Sequence, residues 1–341
     1  MLNLLAVTTS ALVILLVSAH DSEASSNSTN NPNPANRQCM DCHEKVIDQW
    51  RHSLHAKALS PGVLGQFALF DGETIADCLS CHFPNTETGE ALGNWSGSVS
   101  CFSCHGHLTS PHPSEVPVTR SPVTYESCVY CHQFVDNGIL VNGKPLENTV
   151  EEWRQSLYPR QGITCISCHL QEGNHYIRGI HDPEMTRSGL IVSGLRNQKQ
   201  IEITLQNQGA GHALPTYITP RIRVQWKNAR GQSIPITTVQ RKMDWNETRG
   251  WTEIHDSRLQ PHEQRTIHFN TDNTAVGYIE IWVDPDADYY ERVYPAILKA
   301  MNESDVSQES KDMIRSAMQV AGQSSYLLYS LRCGPDDGAC Q

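Results

Sequence analysis

The chain has 341 residues, with 26 Lys and Arg against 37 Asp and Glu and a formal net charge of -11. That length exceeds a usual single domain, so more than one is expected, and the scattered basic residues give no electrostatic basis for nucleic acid or an anionic membrane surface; a partner with a basic docking face fits better. Twelve cysteines are out of keeping with a reduced cytosolic enzyme unless they bind metal or serve catalysis.

At the N-terminus, Leu2 to Val17 is apolar apart from Asn3 and a few hydroxyls, and Val17-Ser18-Ala19 offers small residues for cleavage. Residues 1–19 read as a signal peptide, which implies a periplasmic protein, with export to the cell surface as the alternative. The start of this segment lacks Lys and Arg, which keeps an uncleaved anchor open, but the run is shorter than the roughly 20 residues of a spanning helix. No other stretch is long and apolar enough to span, so no membrane span is expected after signal cleavage. Residues 20–36 are Ser, Asn and Pro with almost nothing to bury, the composition of a disordered linker.

The pattern Cys-x-x-Cys-His begins at Cys39 and occurs five times: Cys39, Cys42 and His43; Cys78, Cys81 and His82; Cys101, Cys104 and His105; Cys128, Cys131 and His132; Cys165, Cys168 and His169. Random placement of these residues gives roughly 0.02 such pentapeptides per chain, so chance is excluded. Two thiols three positions apart reach the two vinyl groups of one haem and form thioethers, and the adjoining imidazole meets the iron from the same side. Five covalently attached haems c follow.

Rival readings fit less well. Zinc knuckles need further ligands at matching offsets and have no use for a His directly after every second Cys. A thioredoxin-like pair would occur once, in a strand-to-helix context, and iron–sulfur clusters need four thiolates gathered together.

Setting aside the five motif histidines and His20 leaves ten for the sixth coordination position, seven of them within or just beyond the haem segment: His52, His55, His107, His112, His175, His181 and His212. Methionine is the rival ligand, but Met40 is trapped inside a motif and only Met185 is well placed, so bis-histidine haems of low potential are the simpler expectation.

Cys39 to Ala56, with Gln49-Trp50-Arg51-His52-Ser53-Leu54-His55-Ala56 behind the first motif, resembles the family of the tetrahaem cytochrome that accepts electrons from hydroxylamine oxidoreductase. The resemblance implies that His55 is a distal ligand to a different haem, with His52 the weaker choice. Ser100 to His112 is similar to the family's Cys-x-x-Cys-His-Gly stretch with a trailing distal His, here His112; His107 departs from that stretch. Cys165 to Met185 resembles the last haem unit of multihaem cytochromes with a C-terminal β-domain, which makes His175 and His181 the candidates there.

Internally, Gln49-Trp50-Arg51-His52-Ser53 is echoed by Glu152-Trp153-Arg154-Gln155-Ser156, each beside a haem motif. The second copy lacks the His, and its default reading is that Trp153 packs on a porphyrin face. Roughly 26 residues per haem between Cys39 and His169 cannot form a conventional core, so the macrocycles themselves must be the apolar interior of residues 37–187, packed as a close row.

After Arg187 the texture changes. Gln200–Asn207, Arg221–Asn228, Thr266–Asn270 and Gly277–Asp284 alternate apolar and polar residues as half-buried strands. An antiparallel β-sandwich of immunoglobulin type is expected within 188–286. The loop Asn207 to Thr216 sets small residues before His212 and Pro215 after it, which suits an imidazole delivered to an iron, the alternative being a hydrogen-bonded loop histidine. The resemblance to other β-tailed multihaem cytochromes points the same way. His255, His262 and His268 sit on charged strands and turns, where exposure is expected. Residues 287–341 read as a helical tail, Tyr289 to Met301 with a kink at Pro295 and then Ser307 to Leu331; Cys333 and Cys340, with no His behind them, read as a disulfide.

The expected fold class is therefore α+β multidomain: a haem-packed, mostly α and coil pentahaem domain, an antiparallel β-sandwich and C-terminal helices. The expected function is electron transfer between redox partner proteins through closely packed haems, with no catalytic residue. The alternative is a multihaem reductase of nitrite or hydroxylamine type with one open-coordination haem.

Overall fold

The computed structural model describes residues 39, 42–84, 98–105, 123–134, 140–246, 250–271 and 276–341. The expected signal peptide and linker, together with His107 and His112, lie outside them. The helices are α1 Glu44–Arg51, α2 Pro61–Gln66, α3 Gly72–His82, α4 Cys101–His105, α5 Glu126–His132, α6 Thr149–Gln155, α7 Cys165–His169, α8 Pro183–Gly189, α9 Tyr294–Asn302 and α10 Gln308–Gly322. The strands are β1 Leu140–Val141, β2 Lys144–Pro145, β3 Leu190–Asn197, β4 Gln200–Asn207, β5 Arg221–Asn228, β6 Ser233–Val239, β7 Arg241–Asn246, β8 Gly250–Asp256, β9 Gln264–Asn270, β10 Gly277–Asp284, β11 Tyr326–Cys333 and β12 Gly338–Cys340.

These elements form two compact units. The first takes the described residues up to Ser127, with Glu172–Ile177 and Tyr290–Val320; the second takes Cys128–Gln171, Arg178–Tyr289 and Ala321–Gln341. The cut thus falls inside the segment that carries the haem motifs and again inside the C-terminal tail.

In the first unit, short helices surround a small apolar centre. Pro61 starts α2, where a missing backbone N–H costs nothing. Gly62 of α2 lies against Tyr294 and Ala317, so the tail helices α9 and α10 close on α2 at a distance that a side chain at 62 would not allow. Ile297, Met301 and Ile314 are fully buried on these helices. The helical stretch around Pro295 is irregular: a π-turn covers Tyr289–Val293, and α9 begins one residue before the proline.

The second unit is built on two four-stranded antiparallel sheets, ordered β12-β3-β4-β9 and β11-β10-β5-β6. Strict alternation in β4 and β5 sends Ile201, Ile203 and Leu205 and, opposite, Ile222, Val224 and Trp226 into one shared core with Ile279, Ile281, Val283 and Leu328. The four strands anticipated from alternation are all present, within two residues at their ends.

The tail differs from its reading as helix throughout. Helix α10 stops at Gly322, and Tyr326–Cys333 is strand β11, paired with β10. Cys340 in β12 pairs with β3 and is joined to Cys333 by a disulfide, so the last residues add an edge strand to each sheet and tie the two edges together. Among the described residues no helix is long and apolar enough to cross a membrane.

Candidate haem sites

Four of the five Cys-x-x-Cys-His motifs end a helix or fill one: α3, α4, α5 and α7 each finish on the motif histidine. In the first motif the His43 N–H donates to the Cys39 carbonyl at 2.9 Å, one helical turn. Helical geometry is what the attachment chemistry requires, because positions i, i+3 and i+4 share one face, so both thiols and the imidazole point the same way.

The ten motif cysteines are in no disulfide. Burial pushes the Cys78 thiol up to about 11 and, with Cys39 beside it, the Cys101 thiol up to about 12. Cys104 and Cys168 are raised too, again by burial. A thiolate zinc site or a redox-active dithiol needs the opposite environment, one that lowers the thiol pKa. A neutral thioether suits a buried, uncharged setting. Among the described residues no three His, Cys, Asp or Glu gather as a metal chelate.

Histidines meet in pairs instead. The rings of His105 and His175 lie 6.2 Å apart, centroid to centroid, 25° from parallel; those of His169 and His212 lie 6.4 Å apart and 11° from parallel. Each pair joins a motif histidine to a histidine outside the motifs. An iron bonded to two opposed imidazoles, with a metal–nitrogen bond of about 2 Å on each side and the ring radii added, holds the centroids roughly 6 Å apart.

The second ring nitrogen supports the same assignment. Nδ1 of His82 bonds the Ala58 carbonyl at 2.7 Å, Nδ1 of His169 the Arg178 carbonyl at 2.7 Å, Nδ1 of His175 the Gly173 carbonyl at 2.9 Å and Nδ1 of His212 the Ala213 carbonyl at 2.9 Å. A carbonyl only accepts, so Nδ1 carries the proton and Nε2 keeps the lone pair that binds metal. Burial lowers the pKa of His82, His169 and His212, and pushes that of His132 down to about 4 with His169 adding its charge; the neutral, ligating imidazole is favoured at each. The residues therefore fit a haem.

The other sequence candidates fall differently. His55 sits in the one-turn helix His55–Lys57, and its carbonyl accepts the Val99 N–H at 3.1 Å, two residues ahead of Cys101. His52 is exposed, with Nδ1 on the Asp48 carbonyl at 2.7 Å. His181 is buried, and its Nε2 faces both carboxylate oxygens of Asp286 at 3.1 Å, so the nitrogen that keeps its lone pair in His82, His169, His175 and His212 is engaged by an acid here. His112 lies outside the described residues. His255, His262 and His268 are exposed, as expected from their sequence context.

The His212 loop is braced from α6. The Ala213 N–H donates to Glu152 Oε2 at 3.1 Å, and Glu152 Oε1 pairs with buried Arg258 at 2.9 Å. Trp153 donates its indole N–H to the Ile163 carbonyl at 3.0 Å, and a Cβ added at Gly211 would stand 3.2 Å from Trp153 Cδ1 and 3.3 Å from Tyr158 Cδ2. Trp153 is thus a brace for the loop and for the approach to the last motif, a role its sequence context did not reveal. The loop also carries a cis peptide bond at Leu214-Pro215.

Residues 38–106 match the family model described as cytochrome c554 and c-prime. No curated protein matches the chain. Among solved structures, the penta-heme cytochrome c552 from Thermochromatium tepidum is similar with a TM-score of 0.61 and 18% identity, over 88% of this chain and 98% of that one. The likeness covers both units and shows a shared fold.

Proposed function

We propose that this chain is an exported pentahaem c-type cytochrome that passes electrons between redox partner proteins. The family match over residues 38–106 and the penta-heme fold neighbour support a multihaem c-type cytochrome and electron transfer. The count of five haems rests on the five motifs.

The observation that carries the reading is the facing of His105 with His175 and of His169 with His212 at ligand spacing. In this reading Cys101 and Cys104 attach a haem held by His105 and His175, and Cys165 and Cys168 attach one held by His169 and His212. His43, His82 and His132 are the motif-side ligands of the other three. His55 and His112 are distal ligands among those three; His181 could serve only through Nδ1, since Nε2 faces Asp286. A haem held by His105 and His175, or by His169 and His212, would supply a one-electron couple that needs little rearrangement, the chemistry of a carrier. The carbonyls on Nδ1 of His82, His169, His175 and His212 fix those imidazoles in one tautomer, which leaves little to reorganise when charge arrives.

The disulfide between Cys333 and Cys340 suits an oxidising compartment, in keeping with export to the periplasm. The two facing sheets are read as a β-sandwich of immunoglobulin type.

Intact mass and a pyridine haemochrome assay on the purified holoprotein test the count, and electron paramagnetic resonance tests the ligation. Five haems, all low-spin, are expected. Fewer than five per chain refutes the pentahaem reading, and a high-spin signal from one haem with turnover of nitrite or hydroxylamine replaces the carrier by a reductase.

A further inference from the structure

The sequence echo between Gln49-Trp50-Arg51-His52-Ser53 and Glu152-Trp153-Arg154-Gln155-Ser156 is matched by a repeated set of hydrogen bonds. In the first copy, Trp50 Nε1 donates to the carbonyl of Val99 at 3.0 Å, and Val99 stands two residues before Cys101. In the second, Trp153 Nε1 donates to the carbonyl of Ile163 at 3.0 Å, and Ile163 stands two residues before Cys165. Ser53 and Ser156 each return a hydroxyl to the carbonyl of their own tryptophan at 2.7 Å. The motifs so reached are the two of form Cys-x-Ser-Cys-His that follow a hydroxyl residue. The Ser100 N–H donates to Ser103 Oγ and the Thr164 N–H to Ser167 Oγ, both at 3.0 Å.

The residue ahead of each tryptophan completes the match. Gln49 Oε1 accepts the backbone N–H of His175 at 3.0 Å, and Glu152 Oε2 accepts that of Ala213, the neighbour of His212, at 3.1 Å. These are the histidines that face His105 and His169. The attachment point is one residue displaced between the copies, and the acceptor differs in charge: Gln49 is a neutral amide, whereas Glu152 is an acid whose other oxygen pairs with Arg258, itself held by Asp256 at 2.8 Å.

We propose that Gln49 and Glu152 are equivalent positioning residues of a duplicated haem-binding module, each fixing the backbone that carries the distal imidazole facing the histidine of its own Cys-x-Ser-Cys-His motif. The inference rests on the haem reading above. One short helix thereby holds both sides of a site, its tryptophan setting the entry to the motif and its Gln or Glu setting the distal histidine. A misplaced distal ring dissociates more readily from iron, because a hydrogen bond that orients a ligand contributes to holding it.

The test is carbon monoxide binding to the reduced holoprotein, which requires the distal imidazole to leave. Gln49→Ala and Glu152→Ala are each expected to raise the CO-binding rate at one haem about tenfold, while Gln49→Glu and Glu152→Gln, which keep an acceptor oxygen, stay near the parent. In a His212→Ala background, Glu152→Ala should add nothing at the already open haem, and Gln49→Ala should still speed a second one. If Glu152→Ala fails to mature, Gln49→Ala, which removes no charge, gives the reading at the other module. Alanine variants as slow as the parent, with five haems attached, overturn the positioning role and leave the proposed function standing, as do conservative variants as fast as alanine. A parent with fewer than five haems sinks both.

Discussion

The imidazole of His212 lies 6.4 Å from that of His169, centroid to centroid, with the two planes 11° from parallel. His212 comes from a loop after β4 and His169 from the end of α7, so the facing is a product of the fold. If the two share one iron, His212→Ala converts one haem per chain to a high-spin form, and His212→Met keeps it low-spin while raising its midpoint potential, since thioether ligation favours the ferrous state. Electron paramagnetic resonance and a redox titration read both. His175→Ala is expected to open a different haem, and the double variant two. Unchanged spectra in His212→Ala would exclude it as a ligand.

Glu147 gives a pH signature separate from the ligands. Burial pushes its carboxyl up to about 7, against the hydrogen bonds of Thr149, with Glu152 adding like charge. A folded pKa above the unfolded one means the native state binds the proton more tightly. The contribution is therefore full below about pH 4.5 and is lost as pH rises through about 7, a decline of about 3 kcal/mol. Thermal unfolding of the second unit at pH 5 and pH 8 should show the parent losing stability over that range and Glu147→Gln losing much less. An equal decline in both would show that the proton sits elsewhere.

Cys333 and Cys340 are separated by 7 in sequence, and their bridge links β11 to β12. Closing so short a loop limits the entropic gain to about 2 kcal/mol. Replacing both by Ala should lower the melting temperature of the second unit by several degrees and leave haem content unchanged. Loss of haem on that change would place the disulfide upstream of maturation.

Gly211 lies where Trp153 and Tyr158 press on the loop that carries His212. Gly211→Val forces these neighbours apart at a cost of about 2 kcal/mol, and the displacement falls one residue from the imidazole. Reduced thermal stability together with faster CO binding at one haem is the expected pair of effects. A stability loss with CO binding unchanged would separate the packing from the ligation.

Much of this was legible in the chain itself. The motifs fix their own chemistry because i, i+3 and i+4 share a helical face wherever a turn forms, so thiols and imidazole need no tertiary partner to converge. Alternation in Ile201, Ile203 and Leu205 and in Ile222, Val224 and Trp226 marked strands β4 and β5 to the residue, because a sheet with one buried face imposes a period of two. Alternation failed at Tyr326–Cys333, where Tyr326, Leu327, Leu328 and Tyr329 run together as they would on a helix, and pairing with β10 decided the matter. The echo of Gln49-Trp50 in Glu152-Trp153 was visible too, but not what Gln49 and Glu152 hold.

The Cys-x-x-Cys-His pattern is local, and the order of residues determined it without help: five pairs of thiols with a histidine behind each. Which second histidine faces which motif is a long-range event. His175 and His212 are only two among ten similar imidazoles in sequence, and they were singled out by where α1, α6 and the loop after β4 are packed, by the carbonyls that orient Nδ1 and, for His212, by the burial that favours its neutral ring and that of His169. That selection depends on distances between segments far apart in the chain, which no local pattern encodes.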